Sequence, residues 1–338
     1  MKNSKVSAII LAAGKGTRMK SSRAKVLHEV TFQPMVHHVL DAVKPLDLHQ
    51  VILVTGHQRR SVEESCSLYH VDFVEQKEQL GTGHAVLSAE KLIDDDISTV
   101  MILCGDTPLI RTETLQHMLA GHLSGGHFIT LMTTEVDDPT NYGRILVDDS
   151  GYVTGIVEEK DASPRQKEIK EINAGVYCVH AEFLFAFLKE VGTDNEQGEM
   201  YLTDIVALAH AAEQPVHRYQ CSDPEEVLGV NSRAELAKAN IILQTRILND
   251  FMLSGVTLDN PGSTTIQKSV EIQADTVIRP HVYICGKTVI GKNCVIEPFC
   301  YIVDSQIGDN VTIGAGAYLN GAVLEDGMTI LPRTVLAQ

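Results

Sequence analysis

The hydrophobic pattern of residues 1–229 alternates between short apolar runs and longer amphipathic stretches. Apolar runs of this length are typical of strands buried on both faces, and the stretches between them have helical spacing. The alternation predicts a mixed, mostly parallel sheet with helices on both faces, that is, a Rossmann-like α/β domain. The predicted strands are 6–13, 51–55, 100–104 and 128–133, and the predicted helices are 34–43, 82–92 and 111–119.

A single connecting helix is predicted to follow, over residues 230–255. It opens with Ser232-Arg233-Ala234-Glu235, which is typical of a capping box, in which the serine hydroxyl and the glutamate carboxylate accept from the first free amides. Gly255 is suited to end the helix. The apolar residues at helical spacing are Leu236, Ala239, Leu243, Ile247 and Phe251.

The last part of the chain, residues 262–338, repeats an aliphatic residue every six positions, with two five-residue intervals. This repeat is typical of a parallel β-helix in which three repeats complete one coil. We expect a short left-handed β-helix of about four coils that forms a homotrimer. Cys294 and Cys300, two residues before a repeat position, are expected to be buried. The repeat positions are Ile272, Ile278, Ile284, Ile290, Ile296, Ile302, Ile307, Ile313, Leu319, Leu324, Ile330 and Leu336.

The composition is that of a folded soluble protein, with 44% hydrophobic residues and a formal net charge of -16. An acidic chain with one basic segment argues against nucleic-acid binding. The sequence has neither an apolar run long enough to span a membrane nor a signal-peptide pattern, so we expect no membrane partner and a cytoplasmic location. The seven scattered cysteines, without a C-x-x-C pair, are expected to be free thiols.

The basic segment lies directly after the first predicted strand. From Gly14 to Lys25 it contains five basic residues, two glycines and no acid. Glycines at the carboxyl end of a parallel strand expose backbone amides to an anion, and Arg and Lys provide the counter-charge. The segment therefore predicts a site for a nucleoside triphosphate. Its spacing fits neither the P-loop nor the dinucleotide fingerprint, which requires a third glycine where Met19 stands.

Two further segments carry candidate chemistry. Asp106 follows the apolar run 100–104, where an open α/β sheet binds its ligands, and a carboxylate there suits Mg²⁺ beside phosphates. Gln76 precedes a glycine-containing turn into the predicted helix 82–92, and its amide offers a donor and an acceptor to a base edge. A surface turn and an ordinary helix amino terminus would have the same sequences, so neither segment is decisive alone.

Taken together, these segments resemble the bacterial N-acetylglucosamine-1-phosphate uridylyltransferase family. The resemblance covers the α/β part and continues into the hexapeptide tail. The glycine-rich loop marks the broader sugar nucleotidyltransferase superfamily, whereas the whole set is specific for the family that makes UDP-N-acetylglucosamine. The matching segments are 11–19, 25–27, 79–85, 105–109, 142–145, 157–162, 171–175, 201–204 and 229–231.

The resemblance implies a reaction and a role for each matching residue. UTP and N-acetylglucosamine-1-phosphate would give UDP-N-acetylglucosamine and pyrophosphate. Arg18 and Lys25 would hold the triphosphate and stabilise developing charge, while Asp106 and Asn231 would bind Mg²⁺. The uridine would be held by the backbone of Leu11, Ala12, Ala13 and Gly14, by Gln76, and by Gly81 and Thr82. The amino sugar would be held by Gly105, Gly143, Glu158, Asn173 and Thr203.

The sequence departs from the family pattern in two respects. The family commonly has tyrosine before the Gly-Asp pair, where this chain has Cys104, and this change affects sugar packing. Family members usually continue through further coils that carry acetyl transfer from acetyl-CoA to glucosamine-1-phosphate. Here the sequence ends at Gln338, and the Arg-Pro-Gly expected near 319–321 is Leu319-Asn320-Gly321. We therefore expect no acetyltransferase activity.

Three alternative functions remain open at the level of sequence. The same chemistry could act on another sugar-1-phosphate, such as glucose-1-phosphate, because one sequence does not define a pocket. The chain could be a hexapeptide acyltransferase, although the repeat has no histidine beyond His281. It could also be a non-catalytic oligomer that binds UDP-sugars, because a fold alone does not establish an activity.

Overall fold

The computed structural model describes residues 3–337. These residues form two compact units, with the division between Ala239 and Asn240. The division lies inside one long helix, Arg233–Leu253, in the region predicted to connect two domains.

The first unit is built on a sheet of mixed direction. Its main path runs in the order β11-β7-β10-β6-β1-β4-β5, and a β8–β9 hairpin pairs with β10. β2 and β3 form a separate two-stranded sheet. In chain order the strands of this unit are β1 Asn3–Ala12, β2 Glu29–Val30, β3 Gln33–Pro34, β4 Leu48–Thr55, β5 Asp72–Glu75, β6 Thr99–Cys104, β7 Ile129–Glu135, β8 Arg144–Val147, β9 Val153–Val157, β10 Glu171–His180 and β11 Val216–Gln220.

Helices cover this sheet on both faces. β1 lies centrally, parallel to β4 and β6, and its residues Ala8, Ile9 and Ile10 are fully buried between two hydrophobic clusters. The predicted Rossmann-like α/β fold with a mostly parallel sheet is confirmed. The helices are α1 Met35–Val43, α2 Arg59–Ser65, α3 Thr82–Leu87, α4 Thr112–Gly125, α5 Ala181–Leu188, α6 Asp204–Ala211 and α7 Arg233–Leu253.

The antiparallel strand β10 is the main element that the hydrophobic pattern does not reveal. It lies between β6 and β7 and runs against both. Its register shifts between Asn173 and Tyr177, and Gly175 there has a left-handed φ of 73°. This irregularity separates two short paired stretches, so the sequence lacks the continuous apolar run that marks the other central strands.

The second unit is a left-handed parallel β-helix, as predicted. Three sheets of parallel strands stack coil on coil, in the orders β12-β15-β18-β21-β24, β13-β16-β19-β22-β25 and β14-β17-β20-β23. The strands are β12 Thr257–Leu258, β13 Thr265–Ile266, β14 Glu271–Ile272, β15 Val277–Ile278, β16 Tyr283–Cys285, β17 Val289–Ile290, β18 Val295–Ile296, β19 Tyr301–Val303, β20 Gln306–Ile307, β21 Thr312–Ile313, β22 Tyr318–Asn320, β23 Val323–Leu324, β24 Thr329–Ile330 and β25 Val335–Ala337.

Every predicted repeat position from Ile272 to Ile330 is buried in this β-helix, whereas Leu336 in the last strand is 37% exposed. Two further buried positions, Leu258 and Ile266, precede Ile272, the first predicted repeat position. Ile266 lies six residues before Ile272 and fits the period, whereas Leu258 lies eight residues before Ile266, so a six-residue period does not detect it.

The cysteine prediction is also confirmed, since all seven cysteines are free. Cys294 and Cys300 are buried, and their thiols approach the carbonyl oxygens of Gly308 and Gly314 at 3.1 and 3.3 Å. Among residues 3–337, no helix has the length and apolar character needed to cross a membrane.

A buried histidine makes the stability of the first unit depend on pH. His122 is 2% exposed, and its Nδ1 lies 2.9 Å from the Thr130 hydroxyl. Burial, together with nearby histidines, lowers its pKa from 6.5 to about 4. The unfolded chain therefore takes up this proton first, so the stabilisation is complete above pH 6.5 and is lost as the pH falls towards 4.

We expect the thermal unfolding midpoint to fall between pH 7 and pH 5, and His122→Asn to reduce that fall because it removes the titrating ring. His117→Asn, at an exposed position of the same helix, is the matched control. Thermal melts of the three proteins across this pH range make the comparison. An unchanged pH dependence in His122→Asn would show that other groups control acid stability.

Candidate functional site

The basic segment forms an exposed loop between β1 and the short 3-10 helix Lys25–Leu27. Gly16 has a left-handed φ of 58°, and a Cβ at this position would lie 2.6 Å from the Cβ of Lys25, so glycine is required there. Met19 is buried and anchors the loop. Arg18 is exposed and forms no hydrogen bond or ion pair with other described residues, and Gly14 is likewise exposed.

Lys25 joins the two predicted metal ligands. Its Nζ donates to Asp106 Oδ2 and lies 3.0 Å from Asn231 Oδ1. The side chains of Lys25 and Asp106 are only 15% and 17% exposed. Three residues far apart in the chain therefore meet at the carboxyl ends of β1 and β6, next to the basic loop.

Backbone hydrogen bonds hold this meeting point together. The Gly105 amide donates to Leu11 O at 2.9 Å, which fixes the end of β6 beside β1. The amide of Val230 donates to Asp106 O at 2.9 Å, which brings the segment 229–231 alongside. The segment that follows β6 therefore fixes the position of Asn231.

The start of α7 adds a further contact to Asn231. As predicted for a capping box, the Ser232 hydroxyl accepts from the Glu235 amide, at 3.2 Å. The Glu235 carboxylate, however, accepts from the Asn231 amide at 2.7 Å rather than from that of Ser232. This hydrogen bond connects the start of α7 directly to Asn231, a candidate metal ligand.

The residues present fit the magnesium ion that the sequence predicts. Asp106 and Asn231 direct two hard oxygen atoms at one cationic nitrogen, and Mg²⁺ prefers such oxygen ligands. No group of three or more His, Cys, Asp or Glu residues within 3–337 is arranged to hold a metal. Mg²⁺ commonly takes its remaining ligands from substrate phosphates and water, which suits this small ligand set.

The predicted uridine site lies around the turn into α3. Gln76 is buried, and its Nε2 donates to Gly81 O at 3.0 Å and lies 3.1 Å from His84 Nδ1. The Thr82 hydroxyl accepts from the Leu202 amide at 3.0 Å. Because Nε2 is engaged within the protein, the Oε1 atom of Gln76 is the group left to face a base.

At the nearby end of β1, two backbone carbonyl oxygens accept hydrogen bonds from other segments of the protein. The carbonyl oxygen of Leu11 accepts from Gly105, and that of Ala13 accepts from the His57 amide at 3.1 Å. Ala12 and Ala13 are buried, while Leu11 is partly buried. A carbonyl oxygen has two lone pairs, so these atoms keep one acceptor position each.

Gly81 is held by close contact with a neighbouring segment. Its φ is 111°, and a Cβ there would lie 2.4 Å from Met200 O. We expect Gly81→Ala to lower the free energy of unfolding by about 2 kcal/mol, because the backbone and Met200 must both move. Gly121→Ala, in α4 with no atom within 4 Å of the added Cβ, is the control and should be neutral or stabilising. Urea unfolding of both variants measures the difference, and equal stabilities would contradict the close contact.

Four of the five residues predicted to hold the sugar form one cluster, whereas Gly105 contacts the end of β1. The Thr203 hydroxyl donates to Glu158 Oε1 at 3.2 Å, and the Asn173 amide donates to Gly143 O at 2.9 Å. A Cβ on Gly143 would approach the Glu158 carboxyl to 3.6 Å. Asn173 Oδ1 accepts from the Gly175 amide at 3.0 Å, which fixes its side chain.

Glu158 is the electrostatically distinctive member of this cluster. Burial raises its pKa, and the carboxylates of Asp161 and Asp204 raise it further, whereas the Thr203 hydroxyl bond opposes the rise. These acids also line one cleft with Tyr201. A carboxyl in such surroundings accepts hydrogen bonds from neutral hydroxyl and amide groups, which suits an uncharged sugar ring.

The structure adds neighbours that the sequence did not reveal. Arg144 is buried, and its guanidinium donates to Glu159 Oε2 at 2.6 Å. The arginine of the matching segment 142–145 therefore has a structural role. Cys104, beside the sugar cluster, has a pKa raised to about 12 by burial, so its thiol is neutral at pH 7. Gln58 contacts the basic loop, and no sequence pattern around it indicates this.

Comparison with known proteins identifies the family of this chain. The family model for nucleotidyl transferases matches residues 7–224, and the bacterial transferase hexapeptide model matches 269–304 and 287–321. A Desulfotalea psychrophila protein named bifunctional protein GlmU is 46% identical, with 96% of this chain and 95% of that protein covered. Proteins of the same name from Heliobacterium modesticaldum and Listeria innocua are 46% and 44% identical, covering 95% and 96% of this chain and 70% of each relative. The chain therefore belongs to the nucleotidyl transferase family and, within it, to the GlmU proteins.

Proposed function

We propose that the protein transfers the uridylyl group of UTP to N-acetylglucosamine-1-phosphate and releases pyrophosphate. The observation that carries this proposal is the convergence of Lys25, Asp106 and Asn231 beside a basic glycine loop. A triphosphate needs such a combination of cations, oxygen ligands for a metal and accessible backbone amides.

The reaction needs no nucleophile from the protein. A phosphate oxygen of the sugar phosphate forms a bond to the α-phosphorus of UTP, and the bond from that phosphorus to the bridging oxygen of pyrophosphate breaks. Lys25 and Arg18 stabilise the negative charge that develops on the phosphate oxygens, and the loop positions the triphosphate in line with the attacking oxygen.

Asp106 and Asn231 are the residues that would hold Mg²⁺, which when bound neutralises phosphate charge. Lys25 now donates to both of these side chains, so its ammonium must turn towards the phosphates when substrate binds. The Lys25 ammonium and a bound Mg²⁺ would therefore be alternative cations beside the oxygen atoms of Asp106 and Asn231.

The sugar cluster supports an N-acetylated amino sugar as the acceptor. Gly143, Glu158, Asn173 and Thr203 come from four separate segments that hydrogen bonds and one close contact bring together. Glu158 and Asn173 offer oxygen acceptors to hydroxyl and amide hydrogens of the ligand. Gly105 is bonded to Leu11 at the end of β1, and its proposed role towards the sugar follows from the family resemblance.

We also propose that the β-helix mediates a homotrimer and that the enzyme acts in the cytoplasm. Tyr283, Tyr301 and Tyr318 stack on successive coils, with ring centroids 4.5 and 5.5 Å apart. Tyr301 and Tyr318 are each 38% exposed, and such an aromatic column is suited to burial between subunits. Light scattering of the purified protein measures the subunit number.

The function is tested by pyrophosphate release from UTP and Mg²⁺ with a panel of sugar-1-phosphates. We expect N-acetylglucosamine-1-phosphate to give the highest kcat/KM; a preference for glucose-1-phosphate would instead assign the enzyme to another sugar. Thermal stabilisation by UDP-N-acetylglucosamine without turnover with any sugar would indicate a non-catalytic binding protein. Acetyl transfer from acetyl-CoA to glucosamine-1-phosphate, measured on the same preparation, tests the expectation that this activity is absent.

A further inference from the structure

The turn after β4 holds the basic loop at both of its ends. At the first end, the His57 amide donates to Ala13 O at 3.1 Å, and Gly56 packs so closely that a Cβ on it would lie 3.0 Å from the Cβ of Ala13. At the second end, the side chain of Gln58 reaches the backbone of Ser22 and Ala24.

The contact made by Gln58 uses both ends of its amide. Its Oε1 accepts from the Ala24 amide at 2.7 Å, and its Nε2 donates to Ser22 O. Ala24 is buried and directly precedes Lys25, whereas Ser21, Ser22 and Arg23 are exposed. The amide therefore fixes the last exposed turn of the loop immediately before the lysine of the site.

The backbone of Gln58 is itself unusual. Its φ and ψ are 53° and 39°, the left-handed region, which is unfavourable for a residue with a Cβ and favours glycine. Strand β4 before it and helix α2 after it, anchored by the fully buried Val62, hold it there. Local backbone geometry would favour glycine at position 58, so the presence of a glutamine that makes two hydrogen bonds there points to a role for its amide.

We infer that Gln58 is a positioning residue of the uridylyl transfer reaction, acting through Lys25. Gln58 is not among the residues proposed to bind the substrates, but it limits the freedom of the segment that carries the Lys25 ammonium. Preorganised charge contributes to catalysis only when its position is fixed before the reaction, so a mobile loop would lower kcat. This inference rests on the proposed function.

The first test is Gln58→Gly. Glycine accepts the left-handed backbone without strain, so the thermal unfolding midpoint should stay the same or rise. The loss of the two hydrogen bonds should nevertheless lower kcat about tenfold, with a smaller change in the KM for UTP. If Gln58 had a purely structural role, its replacement would lower kcat only together with the thermal unfolding midpoint. An unchanged kcat, or a loss of activity that follows a lower unfolding midpoint, would overturn the inference.

The second test is a double-mutant cycle with Lys25→Ala. If Gln58 acts through Lys25, then Gln58→Gly should lower the residual kcat of Lys25→Ala by less than about twofold. A further tenfold loss in the double variant would show that Gln58 acts by another route. Gln50→Ala is the matched control, because Gln50 also lies on the β4 segment and donates to Asp72, away from the loop. It should leave kcat unchanged.

Hydrogen exchange separates this inference from the proposed function. The amide of Ala24 should exchange faster in Gln58→Gly than in the unchanged protein, at equal global stability, because its acceptor is removed. If this occurs while the protein releases no pyrophosphate from UTP and any sugar phosphate, the proposed function fails but the contact stands. Equal exchange at residues 20–25 would overturn the positioning role itself.

Discussion

Replacing Lys25 with alanine is expected to lower kcat for uridylyl transfer at least about a hundredfold. The lysine is the cation that the structure places against both Asp106 and Asn231, and no other described basic side chain donates to either side chain. Removing one preorganised charge from a site of this kind commonly raises the barrier by about 2–4 kcal/mol. Pyrophosphate release at saturating UTP and N-acetylglucosamine-1-phosphate measures the loss, and circular dichroism checks that the variant is folded.

The basic loop supplies its own controls for this experiment. Lys20→Ala removes an exposed cation of the same loop to which no role towards the triphosphate is assigned, and it should leave kcat within about twofold. Arg18→Ala should resemble Lys25→Ala if the loop grips the triphosphate, although Arg18 has no partner among the described residues. Near-normal rates for both Lys25→Ala and Arg18→Ala would remove the loop from the mechanism.

The fold was predictable wherever one apolar period dominates a segment. The continuous apolar run of β1 predicts a strand buried on both faces, and the six-residue repeat from Ile272 to Ile330 predicts coils that turn each aliphatic residue inward, and these residues are buried. The prediction fails at β10, whose bulge interrupts the run, and at Leu258, whose eight-residue distance from Ile266 breaks the period. Both failures occur where the chain changes its backbone geometry rather than its hydrophobicity.

In the candidate site, the functional residues were predictable from the sequence, whereas the residues that support them were not. Chemistry and family resemblance singled out Asp106, Lys25 and Asn231, and the structure brings these three together. Their supports were not predictable, because they depend on which segments the fold places side by side. Gln58 contacts a loop more than thirty residues earlier, and Glu235 accepts from Asn231 rather than from the residue that a regular capping box would use.

Asp106→Ala is expected to reduce kcat at least about a hundredfold and also to raise the Mg²⁺ concentration needed for half-maximal rate. Asp106 is the only carboxylate in contact with Lys25 among the described residues, so its loss removes the negatively charged ligand that the site offers to a metal. Rates measured across a titration of MgCl₂ at fixed UTP give both quantities. Asp149→Ala, an exposed acid on the β8–β9 turn, is the control and should change neither.

The metal titration separates the two charged residues at the centre of the site. Lys25→Ala removes a cation that competes for the same oxygen atoms, so its half-maximal Mg²⁺ concentration should stay the same or fall while kcat drops. Asp106→Ala should move that concentration in the opposite direction. If both variants lose kcat without any change in the Mg²⁺ requirement, Asp106 and Lys25 act only as an ion pair that maintains the shape of the strand end, and the metal must bind elsewhere.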